Sequence, residues 1–221
     1  MTSKLYLSSD SLRAAATVLS STLAEDGRFH TVLSETLFHP QGGGQPYDIG
    51  MIGDASVLGV FQENDEIVHI TDSALPVGEC AMAVDEECRQ LNTRMHSAGH
   101  LIAAVGEDLG WRAIKGNHRP GEGRVVFAAA VAGQAVPDAE LLCDEVNKLV
   151  NQALPRQQTM PEGIRRITWG ELPFYSCGGT HVISTDRIGQ VLISSVKFRK
   201  GQLSVSYSLA DLRPLTLNQA A

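Results

Sequence analysis

Positive charge, cysteine and long apolar runs are all scarce in this 221-residue chain, and each shortage narrows what it can be. Lys and Arg number 18 against 25 Asp and Glu, a net charge of −7, so a generic polyanion binder held by bulk charge is disfavoured. Four cysteines, Cys80, Cys88, Cys143 and Cys177, are too few and too scattered for a disulfide framework, which makes a reducing, cytoplasmic compartment the expectation. The longest apolar run, Val125 to Ala132, falls far short of the ~20 residues of a membrane span. Met1 to Leu5 carries no apolar signal core. Repeats and low-complexity stretches are missing too. What is present in quantity is apolar residue, 43% of the chain, enough to bury one large or two modest cores.

Turn signals and periodicity divide the chain near Asp85. Before it, Ala15 to Leu23 and Phe29 to Leu33 flank the turn-forming Glu25-Asp26-Gly27-Arg28, and Ser56 to Phe61 and Glu66 to Ile70 flank Glu63-Asn64-Asp65. With a further strand ending near Val84, this predicts a β-barrel-like first domain over residues 1–85. After Asp85, Cys88, Leu91, Met95, His96, Leu101, Ile102 and Val105 recur at helical intervals up to Gly110, predicting a helix of about twenty residues. Strands are expected at Arg112 to Lys115, Arg124 to Ala130, Ile164 to Ile167, Ile188 to Phe198 and Leu203 to Leu209, with a helix opened by Pro137-Asp138 and closed before Pro155. The expected class is α+β, with the barrel-like domain packed on a second α+β domain over residues 86–221.

Three segments carry chemistry. His96-Ser97-Ala98-Gly99-His100 puts two imidazoles at i and i+4, one helical turn apart on one face, where they can share a metal ion, although such pairs also occur as solvated or interior groups. Ser97 stands where a zincin helix carries Glu. Cys177-Gly178-Gly179-Thr180-His181 adds one sulfur and one nitrogen across two glycines, and the N₃S set so completed suits Zn²⁺ better than cations that prefer oxygen. The third segment, Thr36-Leu37-Phe38-His39-Pro40-Gln41-Gly42-Gly43-Gly44-Gln45-Pro46-Tyr47-Asp48-Ile49-Gly50, is neither a phosphate loop nor a dinucleotide fingerprint. Its glycines leave bare backbone beside Gln45 for a small polar ligand, or simply form a Gly-Pro hairpin loop.

In their chain order, Thr36 to Gly50, His96 to His100 and Cys177 to His181, the three segments resemble the freestanding alanyl-tRNA editing proteins of the AlaX type, and the editing regions of alanyl- and, over the second half, threonyl-tRNA synthetases. The resemblance implies a zinc-binding editing domain with one Zn²⁺ per chain on His96, His100, Cys177 and His181. It implies an ATP-independent aminoacyl-tRNA hydrolase that removes serine or glycine wrongly attached to the alanine tRNA. Thr36 and Gln45 are then the polar specificity residues, with Gly43, Gly44 and Arg119 as further substrate contacts. An apolar pocket shaped for alanine rejects an added hydroxyl only about a hundredfold, and a missing methyl is worth about 1–3 kcal/mol, so a second, hydrolytic sieve is a physical need.

Ester hydrolysis needs a nucleophilic water, oxyanion stabilisation and a proton for the leaving oxygen. Four protein ligands form a closed pattern, whereas catalytic zinc keeps a position for water. His39, Asp48 and a substrate ribose hydroxyl are the candidates for proton transfer. The expected partner is the acceptor end of the alanine tRNA, with no membrane, and a monomer or weak homodimer. Arg112, Lys115, His118, Arg119, Arg124, Arg156, Arg165, Arg166, Lys197, Arg199 and Lys200 are the candidates for a local basic face. Two rival readings are a metal hydrolase of small esters or amides with the same fold, and a non-catalytic tRNA-binding module stapled by zinc.

Overall fold

The computed structural model describes residues 1–211. They form a strand-rich mixed α/β structure whose chain falls into two compact units, Met1–Leu91 with Gly178–Thr180, and the remainder from Asn92 onward. Residues 212–221, the end of the expected second domain, lie outside the described residues.

The first unit holds eight strands: β1 (Ser3–Lys4), β2 (Arg13–Leu23), β3 (Phe29–Leu33), β4 (Glu35–Thr36), β5 (Gly50–Ile52), β6 (Ala55–Glu63), β7 (Glu66–Thr71) and β8 (Gly78–Val84). Six of them close into a barrel-like ring in the order β2-β3-β7-β6-β5-β8, all neighbours antiparallel. Alternation, reset in β6 by a register shift between Val57 and Gly59, turns Val18, Leu33, Ile52, Val57, Val60, Ile67 and Met82 inward, and Leu37 and Phe38 complete that core. The β6–β7 turn is tight because Asn64 takes φ 52°, a left-handed conformation that Asn tolerates. Short β1 and β4 pair in parallel, Lys4 opposite Thr36. Two- and three-residue strands such as these leave too little periodicity to be predicted.

Helix α1 (Glu86–Asp108) covers the predicted helix and ends before Gly110, whose φ of +83° stops it. The boundary between the two units falls inside this helix, at Leu91/Asn92. Beyond it the second unit contains β9 (Trp111–Asn117), β10 (Arg124–Ala129), α2 (Ala139–Asn151), β11 (Arg156–Thr159), β12 (Arg166–Trp169), β13 (Tyr175–Ser176), β14 (Val191–Arg199) and β15 (Gln202–Leu209). An antiparallel sheet runs β14-β15-β10-β9, and a smaller one β11-β12-β13. Asp138 caps α2, its carboxylate accepting the Leu141 N–H, and Asn147 ties α2 to β14 by accepting from and donating to Val191. Two predicted strands start later than expected: Ile188 sits in a 3₁₀ turn ended by Gly189 at φ +77°, so β14 starts at Val191. Ile164 likewise precedes β12, where Arg166 begins the pairing. Among the described residues no helix is long and apolar enough to cross a membrane.

Candidate metal centre

Within the second unit α1 sets His96 and His100 on one face, and Cys177 and His181 bring the other two donors to them. The four ligand atoms lie within 4.8 Å of one another. Cys177 Sγ is 3.5 Å from His96 Nε2 and 3.3 Å from His181 Nε2. Zinc bonds of about 2.0–2.1 Å to nitrogen and 2.3 Å to sulfur at tetrahedral angles demand N···S edges of about 3.5 Å, so the spacing fits that ion. Among the described residues the only buried side-chain nitrogen or oxygen without a hydrogen bond is His181 Nδ1, inside this cluster. Burial lowers the His100 pKa to about 3, with His118 and Arg165 adding to the effect, and it holds His181 well below the usual value. Both imidazoles are therefore neutral at pH 7, the form that binds a metal.

The backbone of the two loop ligands is fixed by arginines. Arg156 Nη1 donates to the His181 carbonyl (2.6 Å), and Arg165 Nη1 donates to the Cys177 carbonyl (3.1 Å) while its Nε reaches Gln158. Arg165 is buried. Its expected place on a basic face is thereby corrected: these guanidiniums satisfy the carbonyls of a tight loop. On the helix side Ser97 Oγ accepts the Val182 N–H and donates to Thr93 O, and Trp169 Nε1 donates to Val182 O. The position that lacks the zincin Glu thus serves to seat the residue after His181.

His118 is a second correction. Rather than joining an exposed basic face, it is buried, with its ring stacked on His96 at 4.5 Å between centroids. Tyr207 Oη donates its one proton to Met95 O (2.9 Å), so the 2.7 Å approach to His118 Nδ1 requires Nδ1–H to be the donor. Nε2 is left as an unprotonated acceptor. Burial lowers the pKa of His118 to about 4 and raises that of Tyr207, which keeps this assignment at neutral pH. The ring fits because Gly99 and Gly116 flank it: a Cβ would lie 2.3 Å from Cε1 at the first and 2.5 Å from Nε2 at the second. The two glycines were the only hint in the sequence, and nothing in their spacing links them to His118.

The glycine-rich segment lies in the first unit. Gly43 (φ 57°) and Gly44 (φ 80°) are the two central residues of a turn closed by mutual hydrogen bonds between Gly42 and Gln45, a geometry that needs φ > 0 at both positions. Gln45 is buried; its Nε2 donates to Thr180 Oγ1 (2.9 Å) and its Oε1 accepts the Thr180 N–H (3.0 Å). Thr180 directly precedes His181 in the chain. Asp48, expected as a candidate for proton transfer, is instead fully buried against Arg89, with Nη2 at 2.6 Å, and also accepts the His39 N–H. Arg89 Nη2 donates in addition to the Leu37 carbonyl, which clamps both arms of the segment to the start of α1. The His39 ring donates through Nδ1 to Pro46 O (3.3 Å) and is buried.

Thr36 is wholly buried at the end of β4. His69 Nδ1 faces the Thr31 carbonyl and must donate to it, leaving Nε2 to accept the Thr36 hydroxyl proton at 2.8 Å. Phe38 N–H donates to Thr36 Oγ1 (3.0 Å), so one lone pair of that oxygen stays available. Burial lowers the His69 pKa to about 4, which keeps the arrangement neutral. Arg119 is exposed in the β9–β10 connection.

The chain is similar to the alanyl-tRNA editing protein Aarsd1 of Mus musculus, 45% identical over 82 residues, which is 37% of this chain and 20% of that protein. It is 29% identical over 228 aligned positions to the alanyl-tRNA editing protein AlaX-L of Pyrococcus horikoshii, covering 90% of this chain and 55% of that one. Alanine–tRNA ligase of Methanocella arvoryzae is 26% identical over 81% of this chain and 24% of the ligase. The chain thus spans between a fifth and little more than half of these relatives. No protein-family model matches it.

Proposed function

We propose, from its kinship with the alanyl-tRNA editing proteins of the AlaX type, that this chain is a zinc-dependent aminoacyl-tRNA deacylase that hydrolyses the ester of alanine tRNA mischarged with serine or glycine. The observation that carries the metal part of this reading is the N₃S cluster of His96, His100, Cys177 and His181, its donor atoms within 4.8 Å of one another and two of its N···S edges at 3.3 and 3.5 Å. A zinc ion held there would supply a Lewis acid for the ester carbonyl and would lower the pKa of water.

The chain's own groups around that cluster do the positioning. Arg156 and Arg165 hold the carbonyls of the ligand loop, so the donor atoms are pre-set. His118 Nε2, fixed as an acceptor by the Tyr207 hydrogen bond, is the group we assign to orient a water beside His96. For specificity we assign Thr36 to the serine hydroxyl, because the remaining lone pair of its oxygen accepts but cannot donate. Glycine lacks that hydroxyl, and alanine gives no partner to reward. Gly43, Gly44, Gln45 and Arg119 complete the proposed substrate contacts; Gln45 acts through its two bonds to Thr180. His39 is our candidate for proton transfer in the first unit.

The experiment is deacylation of Ser-, Gly- and Ala-charged alanine tRNA by the purified chain, with and without a zinc chelator. Selective, chelator-sensitive loss of serine or glycine is the expected result. The closed four-donor set also suits a purely structural ion. Stoichiometric zinc and retained tRNA with no deacylation would therefore replace the enzyme by a zinc-stapled binding module, and hydrolysis of small esters without tRNA would replace the substrate.

A further inference from the structure

The side chains on the outer face of the sheet β14-β15-β10-β9 follow from the strand register. Three rows cross all four strands: Ser195, Ser206, Arg124 and Asn117; Lys197, Ser204, Val126 and Lys115; Arg199, Gln202, Ala128 and Arg112. Neighbouring rows lie about 7 Å apart and neighbouring strands about 4.8 Å. The alternate residues, Val125, Phe127, Leu203, Val205 and Tyr207, are buried, so the face so defined is the outer one. It carries five cations, Arg112, Lys115, Arg124, Lys197 and Arg199, all exposed, and not one carboxylate among its twelve positions. Among the described residues none of the five makes an ion pair, in contrast to Arg89, Arg94 and Lys148. A groove of about 430 Å³ runs over this face, lined by four of these cations, Lys115, Arg124, Lys197 and Arg199, with Gln202, Ser204, Val126 and Ile114.

In a chain with net charge −7, five unpaired cations on one sheet face oppose the overall field and repel one another. Apolar side chains on it are few, Val126, Ala128 and Ile114 at the β9 register shift, against five cations, so the face suits a hydrated polyanion better than a packed protein partner. We infer that this face docks the phosphate backbone of the tRNA acceptor stem, by charge and without reading bases; the inference rests on the deacylase reading for the identity of the nucleic acid. Ser204, Ser206, Gln202 and Asn117 between the cations are donors of the kind that accompany Lys and Arg on phosphate and ribose oxygens. The sites expected to matter most are Lys115 and Lys197, at opposite ends of one row.

The test is equilibrium binding of uncharged alanine tRNA to the zinc-loaded chain as a function of salt, for the wild type, the double variant Lys115→Ser/Lys197→Ser, and Arg28→Ser as a control charge removed from the β2–β3 hairpin of the other unit. Removing one cation that neutralises a phosphate lowers the log–log salt slope by about 0.7 to 0.9, so the double variant is expected to flatten it by about 1.5 and to bind about tenfold more weakly at low salt. Its KM for mischarged tRNA rises by a similar factor with kcat retained, and zinc content and the unfolding midpoint stay at the wild-type values. Unchanged binding and slope in the double variant, or an equal loss in Arg28→Ser, overturns the docking face. Wild-type binding that depends on Lys115 and Lys197 without any deacylation overturns the deacylase reading and leaves the docking face standing. Binding of an acidic polypeptide in place of tRNA overturns the nucleic-acid assignment.

Discussion

Filling the slot around His118 gives the sharpest check on the second unit. A Cβ at Gly99 meets His118 Cε1 at 2.3 Å and Nδ1 at 2.4 Å, and the ring cannot retreat, because Nε2 already takes up the space beside Gly116 on the other side. Overpacking of this kind costs about 1–3 kcal/mol. Replacing a helical Gly by Ala returns about 1 kcal/mol. Taking the upper end of the clash, Gly99→Ala should destabilise the second unit by about 2 kcal/mol. His118→Ala empties the slot, and in that background the same substitution should turn neutral or stabilising by up to ~1 kcal/mol. The coupling between the two positions is then about 2–3 kcal/mol, well beyond the ~0.5 kcal/mol within which independent sites add. Both tryptophans of the chain, Trp111 and Trp169, are buried in the second unit, so tryptophan fluorescence during urea unfolding reports this unit specifically. Additivity of the two substitutions would refute the packing described for His118. Gly99 also lies between His96 and His100, two donors of the proposed zinc site, so on that reading the single variant should bind zinc more weakly, with recovery in the double variant.

Cys177→Ala should abolish stoichiometric zinc, measured by elemental analysis, and lower the unfolding midpoint of the second unit, because metal affinity there is part of the folding free energy. Asp48→Ala leaves the buried Arg89 guanidinium uncompensated and should destabilise the first unit by about 3–5 kcal/mol, read by circular dichroism at the β-sheet wavelength. His69 has a folded pKa of about 4 against 6.5 unfolded, so the unfolded state binds the extra proton between these values and stability falls as pH drops. Its share is intact well above pH 6.5 and about 2 kcal/mol is lost by pH 5. His69→Gln keeps a donor and an acceptor without titrating and should remove that increment from denaturation curves at the two pH values. Thr36→Val strands His69 Nε2 and the Phe38 N–H, costing about 2 kcal/mol, and should slow removal of serine more than removal of glycine; equal slowing would take Thr36 out of the specificity role.

Elements whose information is local were legible in the order of residues alone. The 3.6-residue period from Cys88 to Val105 set α1, and with it the stacking of His96 over His100; turn residues set the β2–β3 and β6–β7 hairpins. The donor types of the candidate metal centre were legible as well, since a Cys and a His spaced by two glycines and a threonine keep their chemistry wherever the chain carries them. Which polar residues are interior was a matter for long-range packing. His118 and Arg165 stand beside strand ends and Arg156 opens β11; all three read as surface, yet the folded chain turns them against His96 and the loop carbonyls. Asp48 and Arg89, 41 positions apart, become an ion pair because the returning arm of the glycine-rich segment meets the start of α1. Lys115 and Lys197 are remote in sequence and share a row only because β15 pairs with β10. Periodicity states which side of one strand is apolar, but which strands are neighbours depends on pairings far apart in the chain, and those pairings place the charges.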